Sequence, residues 1–211
     1  MAALRDRLLT TVATQLGNPH GTLGKGVAFV LNRGNRRAIA AAVEIVATPG
    51  ARVVDIGFGG GVGLELLAAR VGQAGLVHGI EPSADMLERA RGRFARQLAD
   101  GRLALAEGTL AALPLAEDSV DGAITLNTIY FLDDLPAACA ELARVLRPGG
   151  TAVVGIGDPE AMTKMPFTAY GFTLRPVAEV VAALTAAGLL VEQRTLANPP
   201  IPHHLLIARK P

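Results

Sequence analysis

Val53-Val54-Asp55-Ile56-Gly57-Phe58-Gly59-Gly60-Gly61-Val62-Gly63 is the stretch on which the reading of this 211-residue chain turns. Ala51 to Ile56 is a short apolar run with the character of a buried strand, and Leu64 to Ala69 has the composition of a helix. The glycines fall where strand gives way to helix. There they let the backbone take positive φ and let a ligand approach the main chain closely. Asp55 puts a carboxylate at the end of the strand, and ligands of open α/β sheets sit at the carboxyl ends of strands.

Outward from this turn the chain alternates strands and helices. A strand over Gly75–Glu81 is followed by Ser83, a suitable N-cap for a helix over Ala84–Leu98. Leu103–Glu107 and Val120–Leu126 read as strands, and Pro136–Leu146 as a helix ended by Arg147-Pro148-Gly149-Gly150. Thr151–Ile156 is a fifth strand, Gly157–Arg175 is irregular, and Pro176–Ala187 is a helix with proline in its first turn and Gly188 beyond its end. Two strands, Leu190–Leu196 and His203–Arg209, have no helix between them and are expected to pair antiparallel. Upstream, a weakly amphipathic helix over residues 1–16, a loop over Gly17–Gly26 and a helix over Asn35–Ala47 are not needed for the sheet. Residues 1–48 are therefore read as a cap on a core of residues 49–211.

Composition narrows the class. The chain is 50% hydrophobic and 18% charged, as expected of one globular domain with a sizeable core. Its net charge of +1 argues against a general nucleic-acid binder. The charge is uneven, with six basic residues against one acidic up to Val43 and fourteen against eighteen after it. A basic arm of this kind suits an anionic or hydroxylated partner, or is simply a solvated helix face. A single cysteine, no apolar run of membrane-spanning length, and Arg5, Asp6 and Arg7 where a signal peptide needs an apolar core lead to a cytoplasmic expectation.

A glycine-rich turn with an acid some distance on also fits a nicotinamide-dependent oxidoreductase, with Glu81 as that acid. The remaining segments separate the two. Asp55-x-Gly57-x-Gly59-x-Gly61, Gly79-Ile80-Glu81-Pro82-Ser83-x-x-Met86-Leu87, Glu107-Gly108-Thr109 followed by Leu113-Pro114-Leu115-x-x-Asp118-Ser119-Val120-Asp121, and Arg144-Val145-Leu146-Arg147-Pro148-Gly149-Gly150 come in order. Over residues 50–209 the chain resembles the class I S-adenosylmethionine-dependent methyltransferases, of a bacterial small-molecule type. The resemblance implies a Rossmann-like seven-stranded mixed sheet, its last strand antiparallel, with helices on both faces and the N-terminal helical cap.

It also implies a map of the cofactor, S-adenosylmethionine. The turn Gly57, Phe58, Gly59 and Gly61 would lie against the methionine part, with Asp55 near the ammonium. Glu81, followed by Pro82, would accept from both ribose hydroxyls, because an ionised carboxylate only accepts. Thr109 and Leu110 would flank the adenine, and position 109 departs from the family's usual aspartate. Asn127 would sit near the transferred methyl. The acceptor pocket would be formed by His20–Arg37, Thr128–Leu132 and Pro159–Phe172. His20 and Tyr130 are the catalytic candidates, as base and as orienter of a hydroxyl. His78 lies far from the carboxyl end of its strand, and neither His203 nor His204 is expected to act in catalysis. Asp133-Asp134 reads as helix-start charge, and no metal site is expected.

Asn198-Pro199-Pro200 invites comparison with amino-methylating DNA enzymes, but it joins the last two strands instead of following the fourth and is read as a turn. With no tryptophan and 4% aromatics, base flipping is disfavoured. The expected reaction is transfer of a methyl group to a small-molecule acceptor, with a hydroxyl oxygen the leading choice. A carbon or nitrogen of a quinone or lipid head group, and a cofactor-binding protein without catalysis, are the alternatives. A homodimer is left open.

Overall fold

A computed structural model of the chain describes residues 35–199 and 201–211. The expectations for residues 1–34, His20 among them, lie outside the described residues. Helix α1 covers residues 35–46. Then follow β1 (Arg52–Ile56), α2 (Val62–Val71), β2 (Leu76–Glu81), α3 (Ala84–Arg93), α4 (Ala95–Ala99), β3 (Leu103–Glu107) and β4 (Val120–Leu126). After them come α5 (Leu135–Val145), β5 (Leu146–Gly157), α6 (Pro159–Thr163), α7 (Val177–Ala186), β6 (Leu190–Leu196) and β7 (His203–Arg209), with single 3-10 turns at Ile129–Phe131 and Pro166–Ala169.

Among the described residues the seven strands form one sheet in the order β3-β2-β1-β4-β5-β7-β6. β1 to β5 run parallel, and β7 lies antiparallel between β5 and β6. The strand order reverses between β1 and β4, so the crevice of this fold opens at their carboxyl ends, where the glycine turn sits. One face of the sheet packs on α5 and α7 through Ala138, Leu142, Val145, Val180 and Leu184. The other packs on α1, α2 and α3 through Val43, Val46, Leu64, Leu67 and Leu87. Thus the described part of the expected cap, residues 35–47, forms a wall of the core. Gly122 on β4 makes that approach possible, because a Cβ there would lie 2.7 Å from the Val46 carbonyl oxygen.

Three local expectations are corrected. The helix expected over Ala84–Leu98 breaks at Phe94, whose ring is buried beneath the glycine turn. Arg147-Pro148-Gly149-Gly150 does not precede the fifth strand but forms its irregular start, with a register shift against β4. There Arg147 donates to Asp121 (2.8 Å), Asp121 accepts from the Arg52 N–H (2.7 Å), and Gly149 and Gly150 bond to Lys210. This segment ties β1, β4, β5 and the tail together at the amino end of the parallel strands, away from the crevice. The segment after β5, expected to be irregular, contains α6, whose N-terminus is capped by Asp158 accepting from the Ala161 N–H at 2.8 Å.

Candidate cofactor and acceptor site

The turn is built from inside and outside. Gly57, Gly59 and Gly61 all have positive φ (71°, 49° and 76°), which side chains with a Cβ rarely adopt. At Gly57 space is also lacking, since a Cβ would meet Thr128 Cγ2 at 2.4 Å. On the inside, Glu81 is 3% exposed and accepts from the N–H groups of Gly59 (2.9 Å) and Ser83 (3.0 Å). On the outside, Arg93 donates to the Gly60 carbonyl at 2.9 Å, pairs with Glu65, and lies 5.0 Å over the Phe94 ring. Phe94 in turn fills the space beneath Gly61. Phe58 turns its ring into the core, so only its backbone remains at the turn.

Asp55 is 6% exposed and accepts from the Leu64 N–H in the first turn of α2. Its carboxylate occupies the space that a side chain on Gly63 would need: a Cβ there would lie 2.1 Å from Asp55 Oδ2. Burial, with the charge of Glu81 added, pushes the Asp55 carboxyl up to about 8. Burial also raises Glu81, against the opposing pull of its two N–H donors. Neither carboxylate has an arginine or lysine partner among the described residues. Two buried acids without a cation suit a ligand that brings positive charge and hydroxyl donors. An ionised carboxylate has about four acceptor sites, so the two N–H bonds at Glu81 leave room for a diol.

The remaining expected residues ring this pair. Pro82 is exposed beside the end of β2, and Leu110 is buried against the Ile80 side of the core. Thr109 is exposed and bridges to Ala112, its carbonyl accepting from the Ala112 N–H at 3.1 Å. Asn127 follows β4 with φ 60°, a left-handed conformation that asparagine tolerates better than most residues. Its Oδ1 lies 3.4 Å from the Tyr130 hydroxyl, which itself accepts from the Gly157 N–H at 2.6 Å. Burial pushes the Tyr130 phenol up to about 12. The hydroxyl therefore joins the ends of β4 and β5 and is no base at neutral pH.

Beyond the carboxyl end of β4, Tyr130, Phe131, Phe167 and Phe172 form one aromatic cluster with ring centroids 4.8 to 6.3 Å apart. Two segments contribute to it, and Arg175 joins them by donating to the carbonyls of Ile129 (2.7 Å) and Leu132 (2.6 Å). Nothing in the sequence marks Arg93 or Arg175 as a site residue. Both act on backbone carbonyls far away in sequence, and local pattern carries no such signal. Among the described residues no cluster of histidine, cysteine and acidic side chains could hold a metal, and no helix is long and apolar enough to cross a membrane.

Residues 54–154 match the family model described as a methyltransferase domain. Over these residues the chain carries a methyltransferase domain. It is 38% identical over 117 residues to a 37.1 kDa protein in transposon TN4556 of Streptomyces fradiae, covering 56% of this chain and 33% of that protein. It is 35% identical over 128 residues to a demethylmenaquinone methyltransferase of Desulfitobacterium hafniense, covering 60% of this chain and 49% of that one. These matches span about half or less of the relatives' length. Among solved structures, a geranyl diphosphate methyltransferase in complex with S-adenosylmethionine has a TM-score of 0.72 at 17% identity, over 94% of each chain. S-adenosylmethionine is the cofactor of this methyltransferase domain, and two buried acids without a basic partner among the described residues, beside a glycine turn, fit its ammonium and hydroxyl groups.

Proposed function

We propose that this protein transfers the sulfonium methyl of S-adenosylmethionine to a hydroxyl oxygen of a small, hydroxylated aromatic acceptor. The observation that carries the cofactor half is the buried Asp55 and Glu81 pair on either side of the turn. Asp55 would pair with the ammonium, Glu81 would accept from the ribose hydroxyls beside Pro82, and Gly57–Gly61 would lie along the methionine. Thr109 and Leu110 would flank the adenine, and Asn127 would border the methyl. When bound, the cofactor supplies an electrophilic methyl group. The chain's own part is then mainly proximity and alignment, which contribute up to about 7–11 kcal/mol in favourable systems.

The aromatic cluster supports the acceptor half, since planar rings favour offset or edge contacts with an aromatic guest. A ring carbon of a quinol is the second reading, favoured by the demethylmenaquinone methyltransferase among the relatives. The test is calorimetry with S-adenosylmethionine and with NAD, followed by a screen of hydroxylated aromatics using cofactor labelled in the methyl group. Micromolar binding of S-adenosylmethionine alone, with label recovered on an acceptor oxygen, supports the proposal. Label on a ring carbon selects the second reading. Binding without transfer to any acceptor returns the chain to a binding protein.

A further inference from the structure

A hydroxyl acceptor is a poor nucleophile until its proton is removed, and a positioned base typically contributes about 10²–10⁴-fold. The Tyr130 hydroxyl is engaged by the Gly157 N–H, which leaves the three described histidines as candidates. His78 lies in the middle of β2. His204 is engaged at both ring nitrogens, with Nε2 3.0 Å from Asp158 Oδ2 and Nδ1 3.2 Å from Gln193 Nε2. His203 differs. It is 3% exposed, and its Nε2 is buried with no hydrogen-bond partner among the described residues.

The other ring nitrogen fixes the tautomer. His203 Nδ1 lies 3.0 Å from the Ile201 carbonyl oxygen, which can only accept, so Nδ1 carries the proton and Nε2 keeps a bare lone pair. The side-chain amide nitrogen of Asn198 lies 3.2 Å from the same Nδ1. Flipping that amide puts its oxygen there as a second acceptor, consistent with the same tautomer. The Asn198–His203 segment, whose Asn-Pro-Pro reads as a plain turn in the sequence, thus orients an imidazole.

Its place in the sheet is at the acceptor edge. β7 runs antiparallel to β5, so its first residue meets the carboxyl end of β5, and His203 is in register with Gly157. Gly157 sends its N–H to Tyr130, while the Asp158 N–H goes to the Pro202 carbonyl at 2.7 Å. Gly157 and His203 therefore face each other as a non-hydrogen-bonded pair, a pairing whose Cα atoms lie about 4.5 Å apart. One residue thus separates His203 from the phenol that borders Asn127. The space over Gly157 is shared with Ile201 and Met162, each about 3 Å from where a Cβ would stand.

We propose that His203 Nε2 takes the proton of the acceptor hydroxyl, resting on the reading of this protein as an oxygen methyltransferase. The O–H bond breaks and its proton passes to Nε2. The oxygen forms the new bond to the methyl carbon, and the electron pair of the methyl–sulfur bond stays on the sulfur. The imidazolium carries the positive charge that the sulfonium loses. Burial, reinforced by neighbouring His204, lowers the His203 pKa against the opposing pull of the Ile201 carbonyl, so the ring is neutral and ready at physiological pH. Among the described residues the charged and titratable groups around it are His204, Asp158, which holds His204, and Tyr130 across Gly157.

The test uses the full chain labelled with ¹⁵N-histidine, its four imidazoles assigned with His78→Gln, His203→Gln and His204→Gln. Long-range ¹H–¹⁵N spectra are expected to show His203 as the Nδ1–H tautomer. With S-adenosylhomocysteine bound, a panel of mono- and dihydroxynaphthalenes is expected to shift the His203 Nε2 signal. His203→Gln is expected to keep S-adenosylhomocysteine affinity within threefold and to lower methyl transfer at least 100-fold, with the remaining rate rising with pH. An Nε2–H tautomer, an Nε2 signal unmoved by the whole panel, or transfer within threefold of wild type overturns the proposal. The spectra of the wild type decide the matter even where His203→Gln fails to fold. Failure of the methyltransferase reading itself is distinguished by calorimetry, as absence of any S-adenosylhomocysteine binding.

Discussion

Replacing Glu81 by alanine tests the turn and the cofactor at once, and the structure separates the two effects. The carboxylate is 3% exposed and its oxygens take the Gly59 and Ser83 N–H groups at 2.9 and 3.0 Å. Alanine leaves two inward-facing donors without acceptors, and an unsatisfied buried donor costs about 1–3 kcal/mol. Part of that loss is offset, because a carboxyl whose pKa is raised by burial no longer has to be kept from water. A net loss of about 1–3 kcal/mol is therefore expected by urea unfolding of the cofactor-free protein at pH 7. If Glu81 also holds the ribose diol, calorimetry will show S-adenosylmethionine binding weakened at least tenfold, about 1.4 kcal/mol. Glu81→Gln is the stricter variant: its amide oxygen can keep one N–H, but its NH₂ then faces the other donor. Glu81→Ala unfolding within about 0.5 kcal/mol of wild type, a margin typical of neutral surface changes, refutes the wiring of the turn. An unchanged dissociation constant refutes the ribose contact.

Four further outcomes follow from the same geometry. Burial pushes the Asp55 carboxyl from its ordinary 3.8 up to about 8, so between those values the folded state holds a proton that the unfolded state has lost. Stability of the cofactor-free protein should thus fall as pH rises from about 4 to about 8 and level off above, and Asp55→Asn should flatten that slope in urea melts. Pairing of Asp55 with the cofactor ammonium favours its ionised form, so binding at pH 7 should release a proton, read as a dependence of the calorimetric heat on buffer ionisation enthalpy. Gly63→Ala forces a Cβ to 2.1 Å from Asp55 Oδ2 and 3.1 Å from Ile124 Cδ1, so it should destabilise more than Gly59→Ala, which meets nothing within 4 Å and bears only the strain of φ 49°. Tyr130→Phe orphans the Gly157 N–H and should lower stability by about 1–3 kcal/mol. Its pH–rate profile should keep the wild-type shape, because a phenol at about 12 is not the titrating base.

What could be read in the chain and what could not divides along sequence separation. β3, β4, β6 and β7 span the residues expected of them; for β4 and β7 the reason is that a buried apolar run specifies its strand residue by residue. The same locality exposed Asp55 and Glu81, each standing at a strand end beside glycine or serine. Phe94 shows the limit. Its window is helical by composition, yet burying the ring under Gly61, thirty-three residues earlier, breaks α3 from α4. Arg93, reaching Gly60, and Arg175, reaching Ile129 and Leu132, are likewise defined by carbonyls that only the folded chain brings near.

His203 carries this reasoning furthest, because the sequence gives grounds to dismiss it and the fold reverses them. On a lone strand its neighbour His204 points to the other face, and nothing local tells which ring is free. β7 alone among the strands runs antiparallel, so its first residue arrives at the end of the sheet where the other strands finish. A residue that looks like the start of a terminal strand therefore stands beside Gly157, whose N–H meets the Tyr130 hydroxyl on its other side, at the edge proposed for the acceptor. The Ile201 carbonyl then decides which nitrogen is bare. Reversing that choice offers a direct check: placing a proton on Nε2 would require the Ile201 carbonyl to give up its donor, and the ¹⁵N spectrum of the cofactor-free protein distinguishes the two tautomers before any substrate is known.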